Sequence, residues 1–170
     1  MNVFEAIRAR RSIQEYSSRP VEKENLDRVL EAGRPAPSAA NRQPWHFIVV
    51  TDPSVREALR VSYEHDWFVN APFIIAACAD PDSAWVRRDG EEYWKVDVAM
   101  ALQNMVLCAA EEGLGTCWIA AFNEEAARRV LKIPEKIRVV ALTPLGYPEE
   151  MEGEVSDRKK LSETAHYEHW

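Results

Sequence analysis

The chain has 170 residues, 46% of them hydrophobic, which suits one substantial core and is too short for two ordinary domains. A net charge of −7, from 21 basic and 28 acidic side chains, argues against whole-surface attraction to nucleic acid or to an anionic membrane. No apolar run is long enough to cross a bilayer, and MNVFEAIRARRSIQEYSS lacks the apolar block of a secretory leader. Three cysteines, Cys78, Cys108 and Cys117, have no zinc-like spacing and read as reduced core residues, so a cytoplasmic protein is expected.

In chain order, residues 3–10 predict a short helix with Val3, Phe4 and Ile7 on one side. Pro20-Val21-Glu22 opens a second, in which Leu26, Val29 and Leu30 form an apolar stripe and after which Gly33, Pro35 and Pro37 stop the helix. Trp45 to Val50 reads as a buried strand. Asp52-Pro53 starts a helix running to about Val61, with an acidic N-cap followed by proline at the first helical position. Residues 73–79 (FIIAACA) form another buried strand. Between Pro81 and Glu92 the sequence is polar and irregular apart from Trp85 and Val86, a candidate mobile loop or lid. A long helix is predicted from about Glu91 to Glu112. Its middle, VAMALQNMVLCAA, is apolar on nearly every side, with Asp97 and Asn104 as polar exceptions, which places it centrally or against another subunit. Gly113 and Gly115 end it, Thr116 to Ile119 reads as a short strand, Asn123 caps a helix over 124–131, and 138–145 supply a last strand. The alternation indicates a layered α/β or α+β domain and leaves the topology open. The final residues carry charge together with Tyr167 and Trp170, and predict an arm packed on the body or on a partner subunit.

Few motifs point to a nucleophile or a metal. GLGTC at 113–117 lacks the dinucleotide-binding spacing and follows a helix, so its glycines read as helix stops. His166 and His169 are three apart, but nothing clearly completes a ligand set. Arg10, Arg11 and Ser12 offer two guanidinium donors and a hydroxyl at adjacent positions, a set that can surround a phosphate. A helix-terminal cation pair with a local cap is the plainer reading. In PSAANRQPW at 37–45, Ser38, Asn41 and Gln43 place directional polar groups in a proline-bounded loop, suited to a heterocycle or a polyol and equally to a structured turn. Arg8, Arg10 and Arg11 gather near the start and Arg158, Lys159 and Lys160 near the end, with an acidic run (Glu149, Glu150, Glu152, Glu154) before the latter. These charges are either solvated surface or two basic ends that meet at one anion.

RRSIQEY at 10–16, followed by PSAANRQPWHFIVV at 37–50, resembles the flavin-dependent nitroreductase family. The similarity continues in order through DVAMALQNMVLCAAEEGLGTCWIAAF at 97–122, IPEKIRVVALTPLGYP at 133–148 and RKKLSETAHYEHW at 158–170. The resemblance implies one FMN-binding α+β domain over 1–170, with 152–170 as a C-terminal arm. It further implies a central mixed, mainly antiparallel β-sheet flanked by helices, in a domain-crossed homodimer with both cofactor sites at the interface. Arg10, Arg11, Ser12 and Gln14 would hold the phosphate, the ribityl oxygens and the ring from one chain. Pro37, Ser38, Ala39 and Asn41 would approach the flavin from the other, the helix over 97–111 would lie in the interface, and Arg158 with Lys159 would return to the phosphate. Backbone N–H groups at Ala120 and Ala121 would approach flavin N5.

Two positions depart from the family pattern. Many relatives have Glu-Gly where this chain has Ala120-Ala121, so the backbone donor survives without the carboxylate. Gln14 stands where a basic side chain is frequent, which implies altered flavin tuning. The implied activity is hydride transfer from NADH or NADPH, through flavin N5, to a nitroaromatic, quinone or similar small acceptor by a ping-pong mechanism. A reductive dehalogenase or flavin-modifying enzyme, and a flavin-binding sensor with little turnover, are the alternatives.

Overall fold

The computed structural model describes residues 1–150, 153 and 157–170; Glu152 and Glu154 of the acidic run, and the first residue expected for the arm, lie outside the described residues. Ten regular elements follow in order: α1 (Val3–Ala9), α2 (Lys23–Gly33), β1 (Trp45–Val50), α3 (Pro53–Ala58), α4 (Asp66–Asn70), β2 (Phe73–Ala79), α5 (Trp94–Glu111), β3 (Gly115–Thr116), α6 (Glu124–Leu131) and β4 (Arg138–Gly146). The strands form one sheet in the order β1-β2-β4-β3 with antiparallel pairing throughout. A parallel bridge between Ser12 and Thr116 makes the sheet mixed, as expected for this α+β fold.

Successive side chains of a strand face opposite ways, and β2 is apolar at every position, so it can be covered on both faces. Ile75, Ala77 and Ala79 pack with Val29 of α2, Val98, Leu102 and Met105 of α5, and Leu145 of β4. Ile74, Ala76 and Cys78 face the other way, against Leu59, Phe68, Ile119, Ala127 and Leu142. Helices α2 and α5 approach closely because residue 33 has no side chain: a Cβ there would stand 2.8 Å from Met105 Cγ and Sδ.

Local chemistry sets the helix ends. In α1, the Asn2 side chain accepts the Glu5 amide while Glu5 accepts the Asn2 amide, a reciprocal capping box. Helix α5 stops where Gly113 turns left-handed (φ +73°), and the Leu114 and Gly113 amides donate to the Ala109 and Ala110 carbonyls, closing a Schellman motif.

Five expectations needed adjustment. The strand expected over Thr116 to Ile119 is only Gly115–Thr116, with Ile119 in an isolated bridge to Leu142. Trp45–Val50 forms a strand, but at the sheet edge, where only Val50 is fully buried and His46 is exposed. The helix expected to reach Val61 tightens after Ala58 into a 3-10 turn over Leu59–Val61. The central helix begins at Trp94, later than the apolar pattern suggested. Residues 81–92 are more ordered than their composition implied. After a 3-10 turn at Pro81–Ser83, Val86 bridges Glu92, Arg87 donates its amide to Glu91, and Trp85 packs edge-on against Tyr93 at 5.1 Å.

Candidate active site

Residues 10–16 leave α1 as an extended strand laid along β3. The Arg10 amide still bonds back to the Ala6 carbonyl, the Ile13 amide donates to the Thr116 carbonyl at 2.9 Å, and Tyr16 bridges Pro148. Alternation sends Ile13 into the core and leaves Ser12 and Gln14 exposed. A cavity of about 260 Å³ opens beside them, lined by Ser12, Ile13, Gln14, Glu15 and Glu150. Arg10 and Arg11 are half-buried and line a smaller cavity of about 50 Å³ against Gly113–Thr116 and the last turns of α5. Beneath this strand lies Cys117. Burial pushes its thiol up, opposed by hydrogen bonds with Gln14 and Ser12. The Tyr16 hydroxyl donates to the Ile13 carbonyl at 2.7 Å, and burial holds this phenol far above its ordinary value.

The PSAANRQPW loop lies at the other end of α5. Ala39 donates its amide to Asp97 Oδ1 at 2.9 Å, and Asp97 stands in the first turn of that helix with no exposed surface. Ser38 Oγ accepts the Gln43 amide at 2.9 Å, and the Gln43 side-chain amide donates to the Asn41 carbonyl and Oδ1, each at 3.2 Å. Ala40, Asn41 and Gln43 all have positive φ, between 51° and 54°. For residues bearing a Cβ this is an uncommon conformation, and three in four positions mark a loop held in shape from outside.

Ala120 and Ala121 form a third group. Ile119 exchanges both backbone hydrogen bonds with Leu142, at 2.9 and 3.1 Å, and the Asn123 amide donates to the Ser62 carbonyl at 2.8 Å. The two alanines are thus clamped on either side and exposed between the clamps. Neither donates its amide to another group of the chain among the described residues, so both N–H groups are left for another partner.

Arg10, Arg11, Ser12 and Gln14 therefore share one strand beside β3, and Pro37, Ser38, Ala39 and Asn41 share one loop. Within one chain these sets belong to opposite ends of α5. The loop is tied at Asp97, whereas the arginine cavity is lined by Val106 and Ala110, so the two are about 14–20 Å apart along the helix. Arg158 and Lys159 are exposed, and the hydrogen bonds of 157–170 stay within that segment among the described residues. His166 stacks on the fully exposed Trp170 at 4.6 Å, and no group of three His, Cys, Asp or Glu side chains suited to a metal occurs among the described residues. Sequence reasoning marked Asp97 as a polar exception without giving it a role. The available signal was an acid near the start of a helix otherwise apolar on most sides. It read Cys117 as a reduced core residue, which it is, but only the strand pairing places it beside Ser12 and Gln14.

Comparison with known proteins bears on the fold and the family. The family model described as the nitroreductase family matches residues 7–64 and 59–147. A protein of Methanothermobacter thermautotrophicus, provisionally named NADH dehydrogenase/NAD(P)H nitroreductase, is 37% identical over 158 residues, covering 90% of this chain and 81% of its own. The crystal structure of a nitroreductase family protein from Clostridium difficile 630 superposes with a TM-score of 0.91 at 31% identity over the full length of both chains. An FMN-dependent nitroreductase from Clostridium difficile R20291 superposes at 0.85 with 30% identity, covering 98% of this chain and 99% of the other. The chain belongs to the nitroreductase family. Among the described residues no helix is long and apolar enough to cross a membrane.

Proposed function

We propose that the chain is an FMN-dependent NAD(P)H oxidoreductase that works as a homodimer, each chain a single FMN-binding domain with a C-terminal arm. The separation of the two polar sets along α5 supports this reading: Arg10–Ser12 lie by Val106 and Ala110 and Pro37–Asn41 are tied at Asp97, so a second chain packed along α5 would bring the loop of one to the arginines of the other. The apolar surface needed for such packing is exposed. Phe4 and Val3 on α1 are 73% and 69% exposed, Val96 on α5 is 44% exposed, and α1 packs against α5. Large apolar side chains left outward on adjacent helices suit a subunit interface.

The donor set fits FMN. Arg10, Arg11 and Ser12 supply charge-assisted donors and a hydroxyl for a phosphate monoester, and Arg158 with Lys159 of the arm adds positive charge to the same anion. Gln14 donates and accepts toward ring or ribityl oxygens. Pro37, Ser38, Ala39 and Asn41 of the second chain wall the ring with small groups that leave a face open. The unbonded amides at exposed Ala120 and Ala121 would meet flavin N5. Bound FMN would supply hydride acceptance and delivery at that atom. The protein fixes orientation through preset dipoles, and no side-chain nucleophile takes part. Reduced nicotinamide and a nitroaromatic, quinone or similar small acceptor occupy the open face in turn, which gives ping-pong kinetics.

The test is anaerobic mixing of FMN-loaded protein with NADH and, separately, NADPH, followed by a quinone. Rapid bleaching of the flavin and its recovery on quinone addition are expected. Tightly held flavin that neither nicotinamide reduces would instead assign the chain as a sensor or carrier.

A further inference from the structure

We propose that Asp97 is a positioning residue for the flavin-facing loop, its buried carboxylate holding residues 37–43 in their left-handed shape before any ligand arrives. The proposal rests on the flavin reading above for what the loop faces, and on the structure alone for the tether. Asp97 Oδ1 accepts the Ala39 amide at 2.9 Å, while Oδ2 is buried with no hydrogen-bond partner among the described residues. A carboxylate with one unsatisfied oxygen and no solvent is a net cost to folding, so packing alone would favour an apolar or small residue there. The helix end offsets part of that cost. Asp97 lies in the first turn of α5, where the helix dipole favours negative charge.

What the carboxylate gains is control of a loop that would not hold its shape unaided. Immediately after Ala39 come Ala40 (φ 51°) and Asn41 (φ 54°), then Gln43 (φ 51°). Neither alanine nor glutamine has a local preference for this region. The other restraints on 37–43, the 3-10 bonds from the Asn41 and Arg42 amides to the Ser38 and Ala39 carbonyls, Ser38 Oγ to the Gln43 amide and the Gln43 side chain to Asn41, lie inside the exposed loop and move with it. Asp97 alone among these partners belongs to the rigid core, since its neighbours Val98, Ala101 and Leu102 have no exposed surface. The chain of cause runs from the packed helix, through one hydrogen bond, to the loop that faces the ligand.

The experiment compares wild type with Asp97→Ala and Asp97→Asn, measuring residue-resolved amide exchange of Ala39 in the FMN-free protein and FMN affinity by fluorescence titration. Asparagine keeps an acceptor oxygen and alanine does not. Wild type should show a slow Ala39 amide despite its surface position. Asp97→Ala should speed that exchange and weaken FMN roughly ten- to a hundredfold, with Asp97→Asn restoring both to within a few-fold. An Ala39 amide that exchanges in wild type as fast as an open one overturns the proposal, even if Asp97→Ala fails to fold. Slow exchange kept in Asp97→Ala, or loss of FMN affinity that asparagine does not rescue, overturns it as well. A protein whose Ala39 exchange follows this pattern while wild type binds no FMN would sustain the tether and refute the flavin reading.

Discussion

Ile13 lies so close over Gly115 that a Cβ at residue 115 would stand 2.7 Å from Ile13 Cγ1 and 2.8 Å from its Cβ. This contact seats the arginine-bearing strand on β3, because Ile13 is also the residue whose amide bonds to the Thr116 carbonyl. Gly115→Ala must therefore push the 10–16 strand outward. Overpacking at such a site costs about 1–3 kcal/mol. Denaturant unfolding should show that loss, and FMN affinity should fall with it because Ser12 and Gln14 move with the strand.

Arg10 and Arg11 are half-buried at a cavity wall and are the phosphate donors of the proposed FMN site. Replacing both with alanine should weaken FMN retention by one to two orders of magnitude (about 1.5–3 kcal/mol, the range for charge-assisted hydrogen bonds) while circular dichroism stays native. Raising ionic strength should weaken binding to wild type more than to the double variant. Unchanged affinity would remove both side chains from the phosphate site.

Glu124 ties α6 to β4. Arg138 Nε and Nη2 donate to its two oxygens, each at 2.8 Å, and the Val139 amide adds a third bond at 2.9 Å. The Arg138 bonds, with smaller help from the Val139 amide, hold its carboxyl below the usual range against the opposing effect of burial. A depressed carboxylate contributes stability that is complete above the ordinary glutamate value of about 4.3 and is lost as pH falls through the lowered folded-state value. Glu124→Gln should cost about 1 kcal/mol at pH 7, and the gap to wild type should close on acidification below about pH 4. A gap independent of pH would mean that shape, and not charge, matters at this contact.

Leu161, Tyr167 and Trp170 are 76%, 81% and 103% exposed. Three large apolar side chains on one terminal segment are costly to leave in water and suit burial against a second chain. Truncation before Arg158 should weaken both FMN binding and the dimer, read by titration and by sedimentation. A fully loaded, unchanged dimer would contradict the role given to the arm.

The residues show why some of this was legible in advance. Helix α2, the caps at Asp52 and Asn123, and strand β2 follow from local pattern, since apolar spacing and capping chemistry act within a few positions. The adjacency of Arg10, Arg11 and Ser12 was visible because they are consecutive. Their setting was not: the pairing of 10–16 with Gly115–Thr116 spans about a hundred positions and depends on what Gly115 leaves vacant. The same holds for Asp97 and Ala39, 58 residues apart. Buried and edge strands look alike in composition, so the half-exposed Trp45–Val50 was misjudged. The order within 81–92 comes from a local hairpin, turned at Asp89-Gly90 (φ +90°) and closed by the Arg87–Glu91 and Tyr93–Trp85 backbone bonds; the Asp-Gly pair was the signal left unused.

The most direct test of the central claim is to identify the cofactor in purified protein, from its visible absorption and from chromatography of what denaturation releases, with FMN titration if the protein is colourless. The account predicts FMN at one molecule per chain, retained or rebound by a dimer. Protein that carries no flavin and binds none in titration would contradict it and leave the two polar ends of α5 without a common ligand.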